Sequence, residues 1–315
     1  MGTFILMFKN VFIFVALAIP GFILAKSKMI PQDKTVSISK IITYVGVPFL
    51  ILDSTIRMDF GGDTLIVLII AGVLSLVVTS LAFFATKPLT TGFDDVKRWG
   101  VARFAMFSSN NGFLGIPLAR AVFGVSDVLS VVVIANVLSN ILFYAFGTYL
   151  ISGDKNKISV KNILLNPLLI AFILGVIINL TGANNYLPEI TTYTGYLSSI
   201  VTPLSMILLG LKMGAVDFKE LIKNKNMYYV SSIKLIAFPV IVIGVLVAVH
   251  QFIQIPYAII MGLFIAFSMP TASVCTTFAD QFNSDTKGAV AYTLSTTILS
   301  ILTISVLYAI LTIII

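Results

Sequence analysis

Phe107-Ser108-Ser109-Asn110-Asn111-Gly112-Phe113-Leu114-Gly115-Ile116-Pro117 interrupts one apolar run, and Phe267-Ser268-Met269-Pro270-Thr271-Ala272-Ser273 interrupts another. Each stretch carries a proline, which removes a backbone donor and clashes with the preceding turn, so each helix is expected to break there. Inside a bilayer, the freed backbone groups persist only where protein or a water-filled cavity satisfies them. Two such breaks at matching places in two halves of a chain are the sequence mark of a solute site built from discontinuous helices.

The rest of the chain supplies the bilayer. Its 315 residues are 58% hydrophobic and 10% charged, with a mean hydropathy of +1.05, against about 25% charged residues in soluble domains. The apolar runs are of a length that suits membrane helices rather than barrel strands, so the fold class is an all-α integral membrane protein. The net charge of +7 sits in short loops between apolar runs, which is membrane anchoring charge rather than a nucleic-acid surface. One cysteine, Cys275, excludes an internal disulfide, and one histidine, His250, leaves no metal cluster and no cofactor to expect. Cys275 reads as a small wall residue, since no histidine is placed to activate it. A membrane enzyme or receptor finds no clustered acid, His or Cys and no sizeable soluble domain. The first 25 residues, with Lys9 ahead of an apolar stretch, read as a first membrane helix rather than a signal peptide.

Apolar runs fall at 4–25, 37–55, 64–86, 100–122, 128–151, 160–181, 194–213, 228–249, 256–279 and 287–313, ten in all. The loops after the odd-numbered runs carry sixteen Lys and Arg, from Lys26 to Lys287, and those after the even-numbered runs carry two, Arg57 and Arg120. Odd loops are therefore expected on the cytoplasmic side of the cell membrane, with both termini outside.

The runs repeat. Pro48 and Pro203 are 155 residues apart, Pro117 and Pro270 are 153 apart, and Leu138-Ser139 and Leu294-Ser295 are 156 apart, each at the corresponding run of a five-run unit. An odd number of spans per unit forces the second copy to enter from the opposite side. The expected architecture is two inverted five-helix repeats, 1–151 and 160–315, joined by a short cytoplasmic linker at 152–159.

Proline suits the first turn of a helix, so a new half-helix is expected at about Pro117 and another at about Pro270. Inversion would point their amino ends at each other, offering unpaired N–H groups and roughly half a positive charge each. That is an anion site made mostly of backbone. Asn110 and Asn111 add neutral amides, Ser108, Ser109, Ser268, Thr271 and Ser273 add hydroxyls, and Gly112 and Gly115 permit close approach. No Asp or Glu falls near the centre of a run; Asp53, Asp127, Asp280 and Asp285 lie at run ends. A cation path or carboxylate proton relay would place acids inside, so the pattern favours a negatively charged organic substrate. Asn136 and Asn140, one turn apart, either line a path or bond their helix to a neighbour. Lys234 and Arg103, near the cytoplasmic ends of their runs, are expected to snorkel to the interface; otherwise they would attract anions to the inner mouth.

The run Asn110-Asn111-Gly112-Phe113-Leu114-Gly115-Ile116-Pro117-Leu118 resembles the fourth-helix motif of the auxin efflux carrier family. Asn166-Pro167-Leu168-Leu169-Ile170-Ala171-Phe172-Ile173-Leu174-Gly175, Pro203-Leu204 with Leu208-Leu209-Gly210, Met269-Pro270-Thr271-Ala272 and Leu294-Ser295-Thr296-Thr297-Ile298-Leu299-Ser300 are similar to that family too. The resemblance spans nearly the whole chain. It implies ten helices in inverted repeats with the fourth and ninth crossing at their prolines. It also implies secondary transport of small organic anions by alternating access, as in bacterial malate or malonate permeases; the short linker resembles that compact kind. Substrate-binding residues are then expected at Asn110, Asn111, Gly112, Pro117, Ser268, Pro270, Thr271 and Ser273. The rival expectation is a sodium-coupled organic-anion symporter resembling bile-acid carriers. A coupling ion, H⁺ or Na⁺, the lipid bilayer and a second copy of the chain in a homodimer complete the expected partners.

Overall fold

Each of the ten expected runs is helical over most of its length in the computed structural model, which describes residues 2–31, 34–91, 96–216, 219 and 223–315. The loops after the third and seventh runs fall partly outside the described residues. Among the described residues, seven helices are long and apolar enough to cross a bilayer: α1 (Phe4–Lys26), α2 (Thr35–Ile56), α3 (Gly62–Ala85), α5 (Asp127–Ser152), α7 (Glu189–Gly214), α8 (Lys225–Phe252) and α10 (Thr286–Ile314). The other three runs are made of shorter pieces. The fourth is α4a (Val96–Phe107) and α4b (Ile116–Phe123). The sixth is α6 (Pro167–Thr181), capped by Asn166, whose side chain accepts the Leu168 N–H. The ninth is α9a (Tyr257–Ser268) and α9b (Val274–Gln281). No strand occurs among the described residues.

The prolines act in a less direct way than a simple break. Of four wider π-turns among the described residues, those at Ile42–Gly46, Asn111–Gly115 and Ile233–Ala237 are each followed two residues on by a proline, at Pro48, Pro117 and Pro239, and that at Phe143–Gly147 is not. A proline ring clashes with the carbonyl one turn back and leaves it without a donor. Widening that turn moves the carbonyl aside and keeps the chain helical. In the fourth run the interruption therefore lies at Ser108–Asn110, ahead of the position expected at Pro117, and helix resumes at Asn111. In the ninth run Pro270 lies inside the non-helical stretch, and helix resumes at Val274.

Burial separates a lipid-facing surface from a polar-containing centre. Ile66, Ile69, Leu81, Phe84, Ile173 and Ile241 are exposed on the outside of the bundle, as a hydrocarbon solvent permits. Every residue of α9a from Ile259 to Ser268 is buried, as are Val101 to Phe107 of α4a, so the broken helices form the middle of the molecule. Met7 and Val11 of α1 are fully buried, which makes the first helix part of the bundle.

Helix pairing is reciprocal between the halves. The α1–α7 contact is matched by α2–α6, α3–α5 by α8–α10, and α5–α9a by α10–α4a. A hydroxyl pair is duplicated as well: Thr79 with Ser139 at 3.2 Å and Ser231 with Ser295 at 3.0 Å. The α1–α7 seam needs glycine, because a Cβ on Gly21 would fall 2.0 Å from the Ile207 carbonyl oxygen and one on Gly210 1.9 Å from that of Ala18. Close backbone approach of this kind gives membrane helices the van der Waals contact that lipid cannot outcompete.

Candidate functional site

The two interruptions lie against each other and satisfy one another. The Asn110 N–H donates to the Pro270 carbonyl at 2.8 Å, and the Thr271 hydroxyl donates to the Ala105 carbonyl at 2.9 Å. The Ala272 N–H donates to the Ser108 hydroxyl at 3.4 Å, and the Asn110 side-chain amide to the Ser273 hydroxyl at 3.3 Å. The Thr271 N–H goes to the Thr296 hydroxyl of α10 at 3.1 Å. Backbone freed by one break thus finds its partners in the other, as a low-dielectric setting demands.

This changes which groups face a ligand. The N–H groups following Pro117 lie inside α4b, and those of Asn110, Thr271 and Ala272 are already occupied, so they are not the free donors expected from the prolines. Other polar atoms are left over. Asn111 Oδ1, Ser268 Oγ and Asn136 Nδ2 are buried without a hydrogen-bond partner, as is Thr293 Oγ1, one turn from Thr296 on α10. Asn111 Oδ1 faces Gly115 and the ninth-helix break: a Cβ built on Gly115 would sit 3.0 Å from it and 3.2 Å from Met269 Cγ. The Asn136 amide faces Gly112, where a Cβ would sit 3.8 Å from its Oδ1. Unpaired buried polar atoms cost about 1–3 kcal/mol each, so this grouping marks a place suited to bonding a guest. Of the two expected path residues, Asn136 is in it. Asn140 instead donates to the Asn136 carbonyl at 2.7 Å and to its Oδ1 at 2.9 Å, within α5.

The ionisable side chain at the crossing is that of Lys234, which does not snorkel. It is fully buried in the π-turn of α8, and its Nζ donates to Ser109 Oγ at 2.7 Å and approaches the Phe267 carbonyl at 3.5 Å. The Phe238 ring centroid lies 4.9 Å from Nζ. No ion pair to Lys234 forms among the described residues. Its run reads Ile233-Lys234-Leu235-Ile236-Ala237-Phe238-Pro239, and the signal was available: a lysine inside an apolar run, one turn ahead of a proline. Nothing local says that this turn faces the breaks, because that depends on how α8 docks.

Arg103 also fails to reach water. It is 3% exposed, donates to the Phe83 carbonyl and the Thr86 hydroxyl, and lies 4.9 and 4.8 Å from the Phe83 and Trp99 rings. It fastens α4a to the end of α3 and takes no part in the crossing. Cys275 is buried. Asp53 stands at the end of α2 but is 1% exposed, between Arg57 and Arg120.

Known proteins share this arrangement of sequence. The family described as membrane transport proteins matches residues 5–163 and 155–308. An uncharacterized transporter of Methanothermobacter thermautotrophicus is 30% identical over 236 residues, covering 73% of this chain and 74% of the relative. A family with this description acts on a small-molecule substrate within membrane lipid. With its apolar helices and its two matched segments, the chain belongs to the membrane transport protein family, that of the auxin efflux carriers, and is a multi-pass membrane transporter.

Proposed function

We propose that this transporter moves a small organic anion, a mono- or dicarboxylate such as malate or malonate, through the α4–α9 crossing by alternating access. The observation that carries the reading is Lys234: a fully buried amine held among the described residues by neutral oxygens of both interruptions, at Ser109 and Phe267, while Asn111 Oδ1 and Asn136 Nδ2 are buried and unpaired. A charged side chain at membrane depth costs about 3 kcal/mol or more on insertion scales, and that cost is offset when a carboxylate binds next to it. Asn111 and Asn136 orient the anion, and the half-helices resuming at Asn111 and Val274 add their positive ends.

The reciprocal helix pairing supports two inverted halves, 1–151 and 160–315, that rock about the crossing, with both termini outside the cell membrane. The lysine also weighs on the coupling ion. Its ammonium repels sodium, and its proton balances one carboxylate charge, so proton coupling is the reading we favour over sodium coupling.

Uptake of labelled malonate and malate into proteoliposomes tests this. Uptake should respond to an imposed proton gradient and ignore a sodium gradient, and Lys234→Met should abolish it. Full transport by Lys234→Met, or an absolute need for sodium, refutes the assignment.

A further inference from the structure

The loops after the even-numbered runs, opposite the lysine-rich ones, carry two Lys or Arg residues, Arg57 and Arg120, and both line one cavity of about 490 Å³. Its walls come from α1, α2, α4b and α7 and include Asp53, Pro117, Ser198 and Thr202. The buried carboxylate of Asp53 accepts from Arg57 Nε at 3.1 Å, from Arg120 at 3.0 Å and from the Thr194 hydroxyl at 3.0 Å. Arg120 also donates to Ser54 Oγ at 2.9 Å, and Arg57 to the Thr191 carbonyl at 3.2 Å.

One arginine neutralises Asp53; two leave the cavity with a surplus positive charge. Arg120 Nε is buried and has no partner, although a guanidinium presents five donors in a fork suited to a carboxylate. Basic residues are rare on this side of a membrane protein, and here both face one space large enough for a small organic acid. Arg120 sits on α4b, the half-helix that begins at the crossing, and Pro117 of the same half-helix lines the cavity. The opposite end has a related tie, where Lys212 of α7 donates to the Thr276 hydroxyl of α9b at 2.9 Å. Helix α7 and half-helix α9b correspond in the repeat to α2 and α4b, and Lys212 is 155 residues after Arg57, the Pro48–Pro203 offset.

We infer that this cavity is a second anion site, a capture site that holds a carboxylate between Arg120 and Arg57 before the anion moves along α4b to the crossing. Asp53 is its built-in counter-ion, keeping the arginines paired when no anion is present. The inference rests on the anion-transport reading of the crossing but is tested apart from it.

Malonate binding is measured by calorimetry on the purified full-length protein, the Lys234→Met variant and the Lys234→Met/Arg120→Gln double variant. The capture site requires weak residual binding in Lys234→Met, lost at least tenfold in the double variant. If Lys234→Met removes all binding, or the double variant binds as Lys234→Met does, the capture site is refuted while the crossing stands. If malonate, malate and acetate bind none of the three proteins, both readings fall. Should Lys234→Met not fold, the salt dependence of uptake in Arg57→Gln decides. Capture predicts a KM for malonate raised about tenfold at low ionic strength, more than the maximal rate falls, and a flattened dependence on salt. An unchanged KM with unchanged salt dependence overturns it.

Discussion

Lys234 Nζ lies 2.7 Å from the hydroxyl of Ser109, so a residue of the eighth helix is fastened to the non-helical segment of the fourth, 125 positions away in the chain. Through its approach to the Phe267 carbonyl it also touches the last turn before the break in the ninth. One side chain therefore bridges both interruptions from a third helix, and it is an ionisable one.

Replacing that side chain has a signed consequence for stability. Burying an amine without a counter-ion costs folding free energy, and an apolar residue of similar volume in its place removes that cost. Lys234→Met is expected to melt at the same temperature as the parent or higher, while losing its stabilisation by malonate. A lower melting temperature together with retained malonate stabilisation would show the lysine to be a structural strut.

Asn111 is buried with its carbonyl oxygen unpaired, so the fold gains little from it. Asn111→Ala should leave expression and melting temperature close to the parent. Hydrogen bonds to charged groups contribute about 1.5–3 kcal/mol, so malonate uptake should fall on the order of tenfold or more. Uptake equal to the parent would remove Asn111 from the site.

Pro117 follows the π-turn and does not coincide with the interruption at Ser108–Asn110. The cross-break bonds of Asn110 and Ala272 do not involve it. Pro117→Ala is therefore expected to keep more transport than Ser108→Val, which takes away the acceptor of the Ala272 N–H. Uptake measured side by side checks the order, and the reverse order places the break at the proline after all.

At the α1–α7 seam, a methyl on Gly210 would meet the Ala18 carbonyl oxygen. Overpacking typically costs about 1–3 kcal/mol, and here the obstacle is backbone. Gly210→Ala should lower the melting temperature clearly, whereas Gly244→Ala, with nothing within 4 Å of its added methyl, should not. Equal melting temperatures for the two variants would mean the seam is not tightly packed in the membrane.

Local chemistry determined much of this protein. Apolar runs long enough for a bilayer, lysines gathered at one set of loops, and polar residues with proline inside two of the runs were all readable residue by residue, because each depends on neighbours in the chain. The family followed from the same motifs, in order. What only the tertiary structure decided is how the interruptions are paired. Helices of nearly uniform hydrophobicity carry no strong mark of which face turns inward, so the position of Lys234 could not be told from that of a lysine at the interface. The same holds for Arg103, sandwiched between Phe83 and Trp99, and for Arg57 and Arg120, which meet only because α2 and α4b converge on Asp53. That the two runs break was legible in the sequence, but the donors left free at each break find acceptors about 160 residues away, and only packing brings them within bonding distance.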